Sequence, residues 1–107
     1  MPDSRLPPTS ALAEHDDALP YFLWWTDITV GAFRRRISDP DRMTRAYWIG
    51  ALLREANTRD VWSFVTPAAV RDLWPELLRH LGRKREMWAY LLGLPAPEWP
   101  PAAARNG

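Results

Sequence analysis

Between Asp39 and Trp62 the chain carries an uncharged run, Ala46-Tyr-Trp-Ile-Gly-Ala-Leu-Leu53. Wound at 3.6 residues per turn, such a run covers more than two turns and leaves no polar face. A helix of that kind is stable only when neighbours enclose it, so the rest of the chain has to supply them. Asp39 and Pro40 read as the cap and first residue of this helix, since the N–H that proline lacks is orphaned there in any case. Gly50 falls in the middle, where it costs roughly 1 kcal/mol against Ala. The compensation expected is close approach by another helix.

The flanking segments read as further short helices. Pro20-Tyr-Phe-Leu-Trp-Trp25 is an apolar plug ahead of the cap residues Thr26, Asp27 and Thr29, and a helix is expected over Val30–Ile37. Arg34, Arg35 and Arg36 lie in its last turn, where cations offset the helix dipole, and successive residues fan out by about 100° instead of forming one patch. Asp60–Val65 reads as one or two turns. Thr66-Pro67 is a second start signal, followed by the stripe Val70, Leu73, Trp74, Leu77, Leu78 and Leu81. Pro75 inside that stripe would clash with the carbonyl of Arg71, so a bend or a tight restart is expected there. Gly82 ends the element. A last helix over Arg83–Leu92, with Trp88, Leu91 and Leu92 on one face, stops at Gly93 and Pro95.

Ile28-Thr29-Val30 is too short a β-branched run to make a strand. The fold class that follows is all-α, a compact bundle of four to five short helices over residues 20–94. Residues 1–19, with their prolines and the acidic run Glu14 to Asp17, read as a disordered N-terminal tail. Residues 95–107 read as a Pro/Ala-rich tail, in which Trp99 is either a stray aromatic or an anchor that folds back.

Several function classes fall away. A net charge of +1 gives no bulk attraction to a polyelectrolyte. Absence of Cys removes disulfides, thiolate zinc and a thiol nucleophile. No apolar run reaches the ~18 residues of a membrane span, and no signal-peptide core opens the chain, so a cytoplasmic protein is expected. Gly-rich phosphate loops, His-Glu-x-x-His and Gly-x-Ser-x-Gly are missing, so no enzyme and no cofactor are expected. Glu14-His15-Asp16-Asp17 holds one His among adjacent carboxylates, which fixes no metal geometry, and reads as solvated. Glu76 and His80, at i and i+4, lack a third ligand and read as a surface contact. Asp39 and Asp41 are explained by helix capping.

The feature that points to function is the pairing of aromatic and guanidinium side chains. The chain has 7 Trp, and thirteen of its 14 basic residues are Arg. Trp and Arg dominate interface hot spots, and a guanidinium both stacks on indole and forks onto carboxylates. A core this small encloses only part of that surface, so a protein partner is expected, contacted by Trp24, Trp25, Arg45, Trp48, Arg54 and Trp62. Trp48, opposite the Met43–Ala46–Gly50–Leu53 side of its helix, is expected to be exposed. The alternative is a nucleic-acid contact through the basic junction Arg79, Arg83, Lys84 and Arg85, which joins two helices at a glycine turn. The helix after it turns apolar at once and offers few side chains to read bases. Oligomeric state is open on these grounds.

Taken together, Tyr21-Phe-Leu-Trp24, Asp27–Val30, Arg45-Ala-Tyr-Trp-Ile-Gly50, Leu52-Leu-Arg-Glu-Ala56, Asp60-Val-Trp62, Trp74-Pro75 and Arg79-His-Leu-Gly82 with Trp88 resemble small bacterial companions of AbiEii-type nucleotidyltransferase toxins. The likeness covers about residues 20–93. It implies an antitoxin-like or regulatory protein of a toxin–antitoxin pair. The toxin's own motif, a Gly-Ser pair followed by two spaced carboxylates, is absent from this chain, and Trp25 stands where the pattern has an acidic residue.

Overall fold

In the computed structural model, which describes residues 5–8 and 12–95, the uncharged run lies within helix α2, Arg42–Glu55. Ala46 and every residue from Trp48 to Leu53 are buried, and only Tyr47 of the run faces water. The helix starts two residues later than the Asp39–Pro40 signal predicts. Asp39 Oδ1 accepts the Asp41 N–H at 2.8 Å and so makes the turn before the helix. Asp41 is the cap, and its carboxylate accepts both the backbone N–H and the hydroxyl of Thr44, at 2.8 and 2.7 Å.

Around α2 stand α1, Val30–Arg36; α3, a single turn at Thr58–Val61; α4, Pro67–Asp72; α5, Trp74–Leu81; and α6, Arg85–Leu92. Short 3₁₀ turns occupy Leu12–Glu14, Tyr21–Leu23 and Gly82–Lys84, and no strand forms among the described residues. The all-helical fold is thus the one the sequence predicts, with five helices of six residues or more and one single turn among the described residues. The caps follow side-chain chemistry. Thr29 accepts the Ala32 N–H in front of α1, and Thr66 accepts that of Ala69 in front of α4. The chain restarts at Pro75. Leu73 alone breaks α4 from α5 (φ −92°, ψ 5°), and Pro75 sits in the first turn of α5, where its missing N–H leaves no bond unmade. Gly93 closes α6 in the left-handed conformation at φ 69°.

The most extensive helix pair is α2 against α5, and Gly50 is what brings it so close. A Cβ placed there would lie 2.6 Å from His80 Cβ. The remaining core is aromatic and aliphatic. Phe22, Phe33 and Phe64 meet edge to face with centroids 5.2 to 5.6 Å apart. Trp88, wholly buried, donates its indole N–H to the Leu53 carbonyl at 2.9 Å. Leu91, expected on the same face as Trp88, is instead 49% exposed. The buried stripe of α6 is Arg85, Trp88, Ala89 and Leu92, spaced i, i+3, i+4 and i+7, which turns Leu91 outward.

The N-terminal segment also departs from expectation. Residues 5–8 and 12–19 are laid against the domain rather than disordered. Arg5 donates to the carbonyls of Leu23 at 3.0 Å and Thr26 at 2.6 Å, Leu6 exchanges backbone bonds with Leu19 and Tyr21, and Leu12 is 2% exposed. The carbonyls of Ala18 and Asp16 accept the N–H groups of Val30 and Gly31, which have no acceptor within α1 because they open the helix. Polar composition hid this role, because the groups used are mainly backbone. The tail from residue 96 onward, with Trp99, lies outside the described residues.

Tyr21 ties the plug to the turn at α3. Its hydroxyl donates to Asp60 Oδ2 at 2.6 Å and accepts the Asn57 N–H at 2.8 Å. Burial, then the hydrogen bond to Asp60, push the phenol up to about 12. Because the folded value is raised, this contribution is fully present below the ordinary value of 10.0 and fades as pH rises through about 12. Tyr21→Phe is expected to lower stability by about 1.5 kcal/mol, read by urea denaturation at neutral pH. An unchanged midpoint would remove this tie from the account.

Candidate functional site

Trp24 and Trp25 leave the Tyr21–Leu23 turn on a backbone pinned from behind by Arg5. Trp24 is 63% exposed, yet its indole N–H donates to Glu55 Oε1 at 3.3 Å, and its ring stands edge-on to Trp25 with centroids 5.2 Å apart. Glu55 Oε2 accepts Arg54 Nε at 2.7 Å, and Arg54 Nη1 donates to the His80 carbonyl at 2.9 Å. The Arg54 guanidinium lies over the Trp25 ring at 5.6 Å. His80 stands edge-on to Tyr47, which in turn meets Trp48 at 4.9 Å. The result is one connected strip, from Trp24 through Glu55, Arg54 and His80 to Tyr47.

Its charges are settled by these contacts. Burial alone would raise the Glu55 carboxyl, but hydrogen bonds from Arg54 and Trp24 and the nearby cations outweigh it and hold the group below its ordinary 4.5. His80 is held below its usual value, first by burial and then by the charges of Arg79 and Arg54. Since the folded value of Glu55 is depressed, its grip on Trp24 persists above pH 4.5 and is lost only as pH falls further, through the folded value. A tryptophan fluorescence titration is expected to show an inflection below pH 4.5 that Glu55→Gln lacks. Identical titrations of the two proteins would contradict this.

Of the six residues expected at a partner contact, the structure brings Trp24, Trp25 and Arg54 together. Trp48 is not exposed: it is 8% accessible, beneath Tyr47, with the Arg36 guanidinium 4.9 Å over its ring. Helix α2 has α5 on one side and α1 on the other, so the side judged free is covered as well. Arg45 lies elsewhere, giving Nη1 to the carbonyls of Asp39 and Pro40 beside a cleft. Trp62 is 39% exposed and stands edge-on to Trp88, which is not a member of the strip. Tyr47, Glu55 and His80 were missed. Tyr47 was within reach, since it precedes Arg54 by two helical turns and shares its side of α2. His80 comes from another helix, and nothing local announced it.

The basic junction is reduced. Arg79, Arg83 and Lys84 are exposed, but Arg85 is 5% accessible and donates to the Leu78 carbonyl. It takes a core position of α6, its stem packed inward. Glu76 accepts Arg42 Nε at 2.8 Å, and Asp72 accepts Arg42 Nη1 at 3.0 Å. Among the described residues no group of three or more His, Cys, Asp or Glu is placed to hold a metal, and no helix is long and apolar enough to cross a membrane. What is defined is a small all-α module with a strip of indole and guanidinium on its surface. The chain matches no protein-family model, no curated protein and no solved structure.

Proposed function

We propose that the chain is a non-enzymatic protein-binding module, that the Trp24–Trp25–Arg54 strip is its contact surface, and that its partner is an AbiEii-type nucleotidyltransferase toxin. In this reading the module acts as antitoxin or regulator and keeps the toxin inactive in the complex. The observation that carries it is the state of Trp24, a large indole left 63% exposed while held in place by Glu55 and Trp25. An anchor fixed before binding loses little side-chain freedom when a partner covers it, and Trp and Arg supply most hot-spot energy. The resemblance in residues 20–93 supports the identity of the partner.

The test is affinity capture of the full chain expressed with its neighbouring gene, beside a Trp24→Ala, Arg54→Ala double variant. The expected result is a stoichiometric nucleotidyltransferase held by the parent chain. The variant, with unchanged helix content by circular dichroism, is expected to lose at least about thirtyfold in affinity, the equivalent of about 2 kcal/mol. Equal affinity would move the contact off this strip. A stoichiometric partner of another kind would overturn the toxin assignment and leave the strip standing.

A further inference from the structure

Arg45, which makes none of the strip's contacts, lines a cleft of about 250 Å³ between the end of α1, Arg45 and Ile49 of α2, residues 64–66, and α4 through to Leu73. We propose that this cleft is a second recognition site, which takes one large apolar side chain from an extended peptide segment of a partner protein. It shares no residue with the Trp24 strip, so it stands or falls independently of that surface.

Size comes first. Small-molecule and cofactor sites run to about 300–1,000 Å³, and this cleft falls below that range. It has room for one leucine, methionine or phenylalanine side chain. The apolar part of the lining is Ile37, Ile49, Phe64, Val65 and Leu73 with the small Ala69, beside the polar Ser38 and Thr66. Burying an aliphatic or aromatic group there is favourable in proportion to the area covered.

The rim selects what is attached to that side chain. Arg45 spends Nη1 on the carbonyls of Asp39 and Pro40, at 2.9 and 3.1 Å, which leaves Nε and Nη2 for a ligand. Asp72 Oδ2 accepts Arg42 Nη1 at 3.0 Å, which leaves Oδ1. Both residues line the cleft. The free Arg45 N–H groups and Asp72 Oδ1, with the hydroxyls of Ser38 and Thr66 on the same lining, can pair with the C=O and N–H of a peptide unit, both of which need partners once covered. A free carboxylate is matched less well. Asp72 and Glu76 both pair with Arg42, and Arg45 already feels the charges of Asp41 and Glu76. Acidic groups thus outnumber the guanidinium groups here, and an added anion is opposed.

The test is a ¹⁵N NMR titration of the full chain with N-acetyl-leucine N-methylamide and N-acetyl-phenylalanine N-methylamide. The alanine analogue and free N-acetyl-leucine serve as comparisons. The expected result is saturable shifts centred on Ile49, Phe64, Ala69 and Leu73, at least about tenfold weaker binding of the alanine analogue, and weaker binding of the free acid. Ala69→Leu fills the hole and is expected to abolish the shifts. Should that variant misfold, the four probes on the parent chain still decide the matter. Absence of shifts at these residues, or equal response to the alanine analogue, overturns the proposal. So does tighter probe binding in Trp99→Ala, because the chain's own tail would then be the occupant.

Discussion

Trp88→Ala is expected to remove about 3–5 kcal/mol of stability, the range for truncating a fully buried large aromatic. Among the described residues Trp88 is the largest of the wholly buried side chains, and it does two jobs. Its ring fills the space between α6 and α2, and its N–H satisfies the Leu53 carbonyl at 2.9 Å. Alanine leaves a hole and an acceptor without its donor, and the two losses add. Small domains have about 5–15 kcal/mol in total, so this variant sits near the unfolding threshold. Thermal denaturation followed by circular dichroism is expected to show a drop in Tm of at least about 15 °C. Trp62→Ala, whose ring is 39% exposed and only edges onto Trp88, should cost distinctly less. Equal losses from the two would contradict this reading of the core.

Gly50→Val is expected to be the next most damaging change, at about 3 kcal/mol, and Gly50→Ala to destabilise as well though by less. Two effects compete at this position. Alanine in a helix interior is favoured over glycine by about 1 kcal/mol. Against that, its Cβ would stand 2.6 Å from His80 Cβ, where carbon atoms prefer about 3.5–4.0 Å. The obstruction is the Cβ of His80 rather than the far end of a flexible chain, so α5 itself has to move back by about 1 Å. That opens the most extensive helix pair of the domain, and packing outweighs propensity. Valine adds two more methyl groups to the same clash. Chemical denaturation decides the sign: a Gly50→Ala protein more stable than the parent would show that the two helices are not held this close.

The parts of the fold that could be read in advance are those set by short-range chemistry. The uncharged run of α2, the caps at Thr29 and Thr66, the restart at Pro75 and the left-handed Gly93 each depend on a few adjacent residues. Gly50 was readable too, because a glycine in a buried helix needs a reason. What escaped depends on residues distant in the chain. Trp48 was judged free because one side of α2 was assigned to the core, whereas α1 closes the other side with Arg36 over its ring. Arg85 was counted among surface cations, but the register of α6 carries it inward. Residues 12–19 looked too polar to order, and they are held by backbone bonds to α1 that composition does not reveal.

The surface shows the same division. Trp24, Trp25 and Arg54 were identifiable as contact residues by type, but their assembly depends on Glu55 and His80 reaching across from two helices. Arg45 and Trp62, chosen on the same grounds, have other partners, the carbonyls of Asp39 and Pro40 for the one and Trp88 for the other. Residue type marked them, and tertiary packing decided which of them work together.

The central claim is that a partner protein covers the Trp24 indole. The most direct measurement is hydroxyl-radical footprinting of the full chain, alone and in its captured complex, with oxidation of each indole read by mass spectrometry. The account predicts rapid oxidation of Trp24 in the free chain, strong protection in the complex, and slow oxidation of Trp88 in both. Oxidation of Trp24 at the same rate in the free and bound states would contradict it.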